Sequence, residues 1–163
     1  MSDNNILIRE IEPQDNAQME QVIRAAFPEF DIPLTGTAYE DVETTQMYES
    51  YQGEREVYFV LVDGDKVLGG AGIKQLKNFD LSICELQKMY FLPEARGKGL
   101  GKKLFQKCLD QAKTFGFEKC YLESASQLKA AIHIYELFGF KHLEGPLGGT
   151  GHYSCGIWMI KEL

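Results

Sequence analysis

The chain has 163 residues, 44% hydrophobic and 25% charged, the balance of one ordinary globular domain spanning 1–163 rather than a disordered segment. No stretch reaches the ~20 apolar residues that crossing a membrane requires. The net charge of -7 argues against nonspecific nucleic-acid binding, which needs a basic stripe to displace counterions.

Met1 to Asn5 is polar and lacks the basic-then-apolar layout of a signal peptide. The alternation in Ile6 to Ile11 predicts a first strand. Ala17, Met19, Val22, Ile23 and Ala26 predict a helix over Pro13 to Phe27, closed by Pro28. A breaker-containing loop follows from Glu29 to Thr37, then a second helix from Ala38 to Tyr51, stopped by Gly53. Val57 to Val62 is a continuous apolar run, the pattern of a strand buried on both faces. Asp63-Gly64-Asp65 supplies a turn, and Lys66 to Ile73 completes a hairpin. A third strand spans Ile83 to Leu92, ahead of Pro93. Leu100, Leu104, Phe105, Cys108, Leu109, Ala112 and Phe115 form a helical stripe ending at Gly116. After a short strand at Lys119 to Leu122, the residues Leu128, Ala131, Ile132, Tyr135 and Phe138 form another, ending at Gly139. Phe140 to Leu143 and Tyr153 to Ile160 read as the last two strands. This order predicts a three-layer α/β (mixed α+β) fold, with a mixed, mostly antiparallel sheet flanked by about four helices.

The chemistry concentrates where the third strand runs into Arg96-Gly-Lys-Gly-Leu-Gly-Lys102 and a helix starts at once. Glycines let the backbone approach a ligand, and the first free N–H groups of the helix point at it with the positive end of the helix dipole. Arg96, Lys98, Lys102 and Lys103 add positive charge to an otherwise acidic chain. Such a site suits a phosphate or pyrophosphate. It is not a Walker A loop, because Arg96 stands where the first glycine belongs and Lys103 where the hydroxyl belongs. Nor does G-x-G-x-x-G fit, since either register puts Lys102 or Leu104 at the third glycine. What fits is Arg96-x-x-Gly99-x-Gly101.

That pattern resembles the coenzyme A pyrophosphate loop of the GNAT superfamily of N-acetyltransferases. Glu85-Leu-Gln-Lys-Met-Tyr-Phe-Leu-Pro93 is similar to the family's splayed central strand, and Ala131-x-x-x-Tyr135-x-x-x-Gly139-Phe140 to its A-x-x-x-Y-x-x-x-G-F helix. The two motifs lie in the family's order, with Tyr135 39 residues after Arg96. The resemblance implies acetyl-CoA as donor and a primary amine as acceptor, on a small molecule or a protein. Main-chain groups of Met89, Tyr90 and Phe91 would hold the pantetheine. Amides of Gly97, Lys98, Gly99, Leu100, Gly101 and Lys102, with the Arg96 side chain, would hold the pyrophosphate. One departure stands at Leu128, seven residues before Tyr135, where many members carry an asparagine.

Direct attack in a ternary complex requires a deprotonated amine, a stabilised carbonyl oxygen and a protonated leaving thiolate. The resemblance makes the amide near Met89 or Tyr90 the oxyanion donor and Tyr135 the acid toward the coenzyme thiolate. A structural hydrogen bond is the alternative role for Tyr135. Glu85, 11 residues before Arg96, is the candidate base, the alternative being a solvated or salt-bridged strand residue. The acceptor pocket is expected from Phe27 to Tyr39 and Leu147 to Ser154, with His152 as a candidate lining residue. No metal is expected, because His152 and Cys155 lack further ligands at a usual spacing. Cys84, Cys108, Cys120 and Cys155 contain no C-x-x-C pair and read as reduced thiols in a cytoplasmic protein. Neither nucleic acid nor membrane is an expected partner, and a homodimer is among the expected assemblies. A noncatalytic acyl-CoA-binding sensor of the same fold is the alternative function.

Overall fold

Seven strands form one sheet, and a computed structural model gives their placement for residues 5–163. The strands are β1 (Ile6–Glu10), β2 (Val57–Asp63), β3 (Lys66–Gln75), β4 (Ile83–Phe91), β5 (Lys119–Ser124), β6 (Lys141–His142) and β7 (Ile157–Glu162). The helices are α1 (Asn16–Glu29), α2 (Leu100–Thr114) and α3 (Lys129–Leu137). The sheet order is β1-β2-β3-β4-β5-β7-β6, antiparallel except for the parallel pair β4 and β5. The polar start at Met1 to Asn5 lies, apart from Asn5, outside the described residues.

Strand β2 shows why three layers form. Every residue from Val57 to Val62 is buried, so both faces of the strand must be covered. Tyr58, Val60 and Val62 pack with Met19, Val22, Ile23 and Phe27 of α1. Phe59 points the other way, into the cluster that holds Leu104, Phe105, Cys108 and Leu109 of α2 and Tyr135 of α3. The two helical stripes read from the sequence are therefore the two halves of one lid on the second face.

Four expectations are corrected. Ala38 to Tyr51 is not a helix but three short 3-10 turns, Ala38–Glu40, Val42–Thr45 and Glu49–Tyr51. Its backbone groups are taken by other partners: the Thr44 hydroxyl donates to the Ala38 carbonyl (2.6 Å), Asn16 Oδ1 accepts the Tyr48 N–H (2.7 Å), and Lys74 Nζ donates to the Ser50 carbonyl (2.5 Å). The α-helices among the described residues thus number three, not about four. Pro28 does not close α1 but sits in its last turn, with the Phe30 N–H returning to the Ala26 carbonyl. The last strand starts at Ile157, which leaves His152 and Cys155 in the preceding loop.

Candidate active site

Strands β4 and β5 pair only from Ile83 opposite Lys119 to Leu86 opposite Leu122, although β4 runs on to Phe91 and β5 to Ser124. A bulge causes the parting. Gly70 pairs with Tyr90 and Gly72 with Gln87, so Lys88 and Met89 together face the single residue Ala71. Lys88 adopts φ 49°, a left-handed conformation that costs a non-glycine residue about 1–3 kcal/mol and persists only where neighbours enforce it. They do. The Tyr58 hydroxyl donates to the Lys88 carbonyl at 2.6 Å, and Lys88 Nζ reaches Asp41 at 2.9 Å and Glu43 at 3.4 Å. The Tyr58 ring crosses β3 only because positions 70 and 72 lack a Cβ, which would come within 2.5 and 2.6 Å of it.

The splay opens a groove of about 390 Å³. Met89, Tyr90 and Phe91 line one wall, and Arg96, Gly97, Gly99, Leu100, Gly101 and Lys102 the other, with Leu128, Ala131 and Ile134 between. Gly97 (φ 77°) and Gly99 (φ 74°) are left-handed, and a Cβ on either would meet only open space. Gly99 precedes the first turn of α2 without any side-chain cap, so that turn's amides remain available to an anion. Lys98 is exposed and outside the groove lining. Arg96 lines the groove, but its charge is met by Glu29. The guanidinium pairs with that carboxylate, donates to the Phe91 carbonyl at 2.7 Å and lies 4.9 Å over the Phe30 ring. These contacts make Arg96 a strut between α1 and the loop.

A second, smaller and more polar pocket adjoins the groove at Met89, Tyr90 and Leu128. Glu85, Gln87, Lys88, Glu123, Tyr135, His152 and Cys155 line it, with Phe27, Ile32, Thr37 and Ala38 from the expected acceptor loop. Glu85 is only 5% exposed, which removes the solvated-strand alternative. Gln87 Nε2 donates to Glu85 Oε1 at 2.7 Å, and the Tyr51 hydroxyl fixes Gln87 at 2.6 Å. Burial pushes the Glu85 carboxyl up to about 7; the Gln87 hydrogen bond opposes the rise, and the nearby Glu123 charge adds to it. Tyr135 is also buried, and desolvation together with the Cys120 and Cys108 thiols raises its phenol, which stays protonated at neutral pH.

Opposite Glu85, His152 Nε2 lies 2.7 Å from Asp41 Oδ2, the same oxygen that accepts from Lys88. Burial lowers the pKa of His152, yet the Asp41 hydrogen bond and charge leave it above its ordinary value. Burial by itself would raise Asp41, but the bonds and charges of His152 and Lys88 hold it below the usual range. The four cysteines are free; burial raises Cys108 and Cys155, the latter to about 12, and a hydrogen bond with Cys84 together with burial raises Cys120.

Sequence reasoning missed Asp41, Gln87, Lys88 and Glu123. Gln87 and Lys88 stood inside the strand motif without a signal beyond their polarity in a buried strand. Asp41 and Glu123 come from segments far apart in sequence, and only the fold brings them to the pocket. Leu128, at the position noted as departing from asparagine, sits where groove and pocket meet. Its polar neighbour Gln127 turns away to the Asp31 carbonyl at 3.2 Å.

Comparison with known proteins sets this geometry among relatives. The model of the acetyltransferase (GNAT) family matches residues 18–140. The chain is 41% identical over 158 residues to the uncharacterised N-acetyltransferase YjgM of Escherichia coli, covering 96% of this chain and 95% of that protein. Its fold matches a GNAT-family acetyltransferase of Staphylococcus aureus with a TM-score of 0.85 at 18% identity, covering 96% and 98% of the two chains. An acetyltransferase of Salmonella typhimurium, solved with its cofactor acetyl-CoA, matches with a TM-score of 0.77 at 23% identity over 97% and 94%.

Proposed function

The chain belongs to the acetyltransferase (GNAT) family, and from that premise we propose that it moves an acetyl group from acetyl-CoA to a primary amine by direct attack in a ternary complex. One observation carries the reading: an uncapped glycine loop and a splayed strand line a single groove, which opens at Met89 and Tyr90 onto a polar pocket holding Glu85 and Tyr135. The groove walls fit the coenzyme. The start of α2 and Lys102 suit its diphosphate, and the β4 main chain beyond Leu86, with no register partner on β5, suits its amide-bearing arm. The Salmonella typhimurium protein of the same fold was solved with acetyl-CoA, which supports the same donor here. When bound, that donor supplies the activated acetyl group.

The protein's own groups then have distinct work. Glu85 accepts a proton from the amine side, directly or through water, and its carboxyl near 7 suits that task at neutral pH. The main-chain amide near Met89 or Tyr90 donates to the acetyl oxygen as negative charge grows there. Tyr135, kept protonated by burial, donates toward the departing sulfur. A cysteine intermediate finds no support, because burial holds the pocket's Cys155 thiol protonated with a pKa of about 12. The acceptor is a small-molecule amine or a protein amino group. The chain acts as one domain, and its free cysteines fit a cytoplasmic setting. No helix of the described residues is long and apolar enough to cross a membrane.

Release of free thiol from acetyl-CoA across a broad amine panel tests the reading. Amine-dependent release supports it. Tight coenzyme binding with no turnover on any amine would replace it by the noncatalytic sensor.

A further inference from the structure

Glu123, His152 and Cys155 come together in the polar pocket although they arise from the end of β5 and from the loop before β7. One donor atom from each lies within 4.8 Å of the others. Ligand atoms around a tetrahedral zinc ion, with bonds of about 2.0–2.3 Å, stand roughly 3.3–3.8 Å apart. His152 Nδ1 and Glu123 Oε1 are already 3.9 Å apart. We infer that these three side chains form a binding site for a zinc-like divalent ion, open toward the acceptor pocket.

The surroundings are those of a prepared site rather than a chance cluster. Asp41 Oδ2 also accepts from Lys88 Nζ, so it acts as an acceptor, and His152 must donate from Nε2. In the neutral ring the lone pair is then on Nδ1, the nitrogen that faces Glu123. A carboxylate behind a metal-binding histidine fixes its tautomer and orientation in this manner. Glu123 is held just as firmly. The Tyr121 hydroxyl donates to its Oε2 and the Thr150 hydroxyl to its Oε1, both at 2.6 Å. Its side chain is 2% exposed, and among the described residues no lysine or arginine pairs with it. A buried carboxylate with only neutral hydroxyl donors leaves negative charge for a cation to meet.

The donor set selects the ion. One sulfur, one imidazole nitrogen and one carboxylate oxygen suit Zn²⁺ and its spectroscopic stand-in Co²⁺, whereas Mg²⁺ prefers oxygen ligands and keeps its waters. Three protein ligands leave a fourth position facing the pocket. On coordination the Cys155 thiol gives its proton to solvent, so binding releases acid. An ion held there stands where the amine is placed above. Zinc is therefore expected to compete with the amine and not with acetyl-CoA, a consequence that rests on the acetyltransferase reading.

Cobalt titration of the chelator-treated full chain tests the site without any turnover. A one-to-one complex is expected, with a sulfur-to-cobalt charge-transfer band and the intense visible bands of four-coordinate cobalt. Zn²⁺ should displace it, and equal Mg²⁺ should not. C155S should lose the charge-transfer band with an unchanged thermal melting profile, and H152A should bind at least tenfold more weakly. No charge-transfer band in the wild-type chain, a band that survives C155S, or displacement by Mg²⁺ would each overturn the site. Where an amine is turned over, zinc inhibition that added amine fails to relieve would overturn its placement in the acceptor pocket, with coenzyme binding read separately.

Discussion

Glu85→Gln separates the electrostatic and chemical roles of the buried carboxyl in one variant. The side chain keeps its shape but cannot ionise. In the folded protein, burial moves the carboxyl from its ordinary 4.5 to about 7. At about 1.4 kcal/mol for each pH unit, ionised Glu85 costs the fold about 3 kcal/mol relative to its protonated form. Between pH 4.5 and 7 the folded chain holds this proton and the unfolded chain has lost it. Stability therefore falls as pH rises through that window and levels off above the folded value. The glutamine variant lacks this slope. Urea denaturation at a series of pH values should show the two proteins diverging, with glutamine gaining up to about 3 kcal/mol on the wild type by pH 8. Turnover should move the other way. In the wild type kcat/KM should climb about tenfold per pH unit until near 7 and then flatten, and in the variant it should be at least tenfold lower above that point. Stability curves that stay parallel from pH 4.5 to 8 would refute the burial argument. An unchanged rate profile would remove Glu85 from the proton transfer.

Other substitutions probe the remaining parts. Tyr135→Phe should lower kcat about tenfold or more while acetyl-CoA affinity, measured by calorimetry, stays within about twofold; equal turnover would leave Tyr135 a packing residue against Phe105. Gly72→Ala places a methyl 2.6 Å from both the Tyr58 ring and the Val57 carbonyl. It should cost about 1–3 kcal/mol, lowering the melting temperature by about 2–4 °C for each kcal/mol, and should weaken coenzyme binding through the β4 bulge. Lys88→Met removes the cation that Asp41 and Glu43 share. Thermal melting of that variant should fall modestly, by about 1 kcal/mol of stability, since Asp41 keeps only His152 and Glu43 only Lys74 and both carboxylates are partly screened by solvent.

Periodicity made the outer frame legible. The unbroken apolar run from Val57 to Val62 forced a strand covered on both sides, and the stripe on α2 fixed its buried face, whereas α3 buries Tyr135 alone and turns Ile134 rather than Ile132 to the core. The loop from Arg96 to Lys102 was legible because its chemistry is local: glycines, then a helix start. Long-range competition defeated the rest. Ala38 to Tyr51 reads as a helix stopped by Gly53, but the side chains of Thr44, Asn16 and Lys74 capture the backbone groups that a helix would need. The left-handed turn at Lys88 has no sequence mark, because it is enforced from Tyr58 two strands away. Arg96 shows the same limit in charge. Its motif position suggested an open cation, and Glu29 from α1 neutralises it across 67 residues of chain. Glu123 joined the pocket only once β5 was placed beside β4.

The loop between residues 96 and 102 is tested most directly by calorimetric titration of acetyl-CoA into the wild-type chain and into Gly99→Glu. The substitution puts a carboxylate, on a backbone at φ 74°, into the space beside the first amides of α2. One site per chain is expected in the wild type, with affinity at least about a hundredfold lower in the variant, or about 2.7 kcal/mol. A wild-type chain that binds no acetyl-CoA, or a variant that binds it equally well, would contradict the assignment of the diphosphate to this turn.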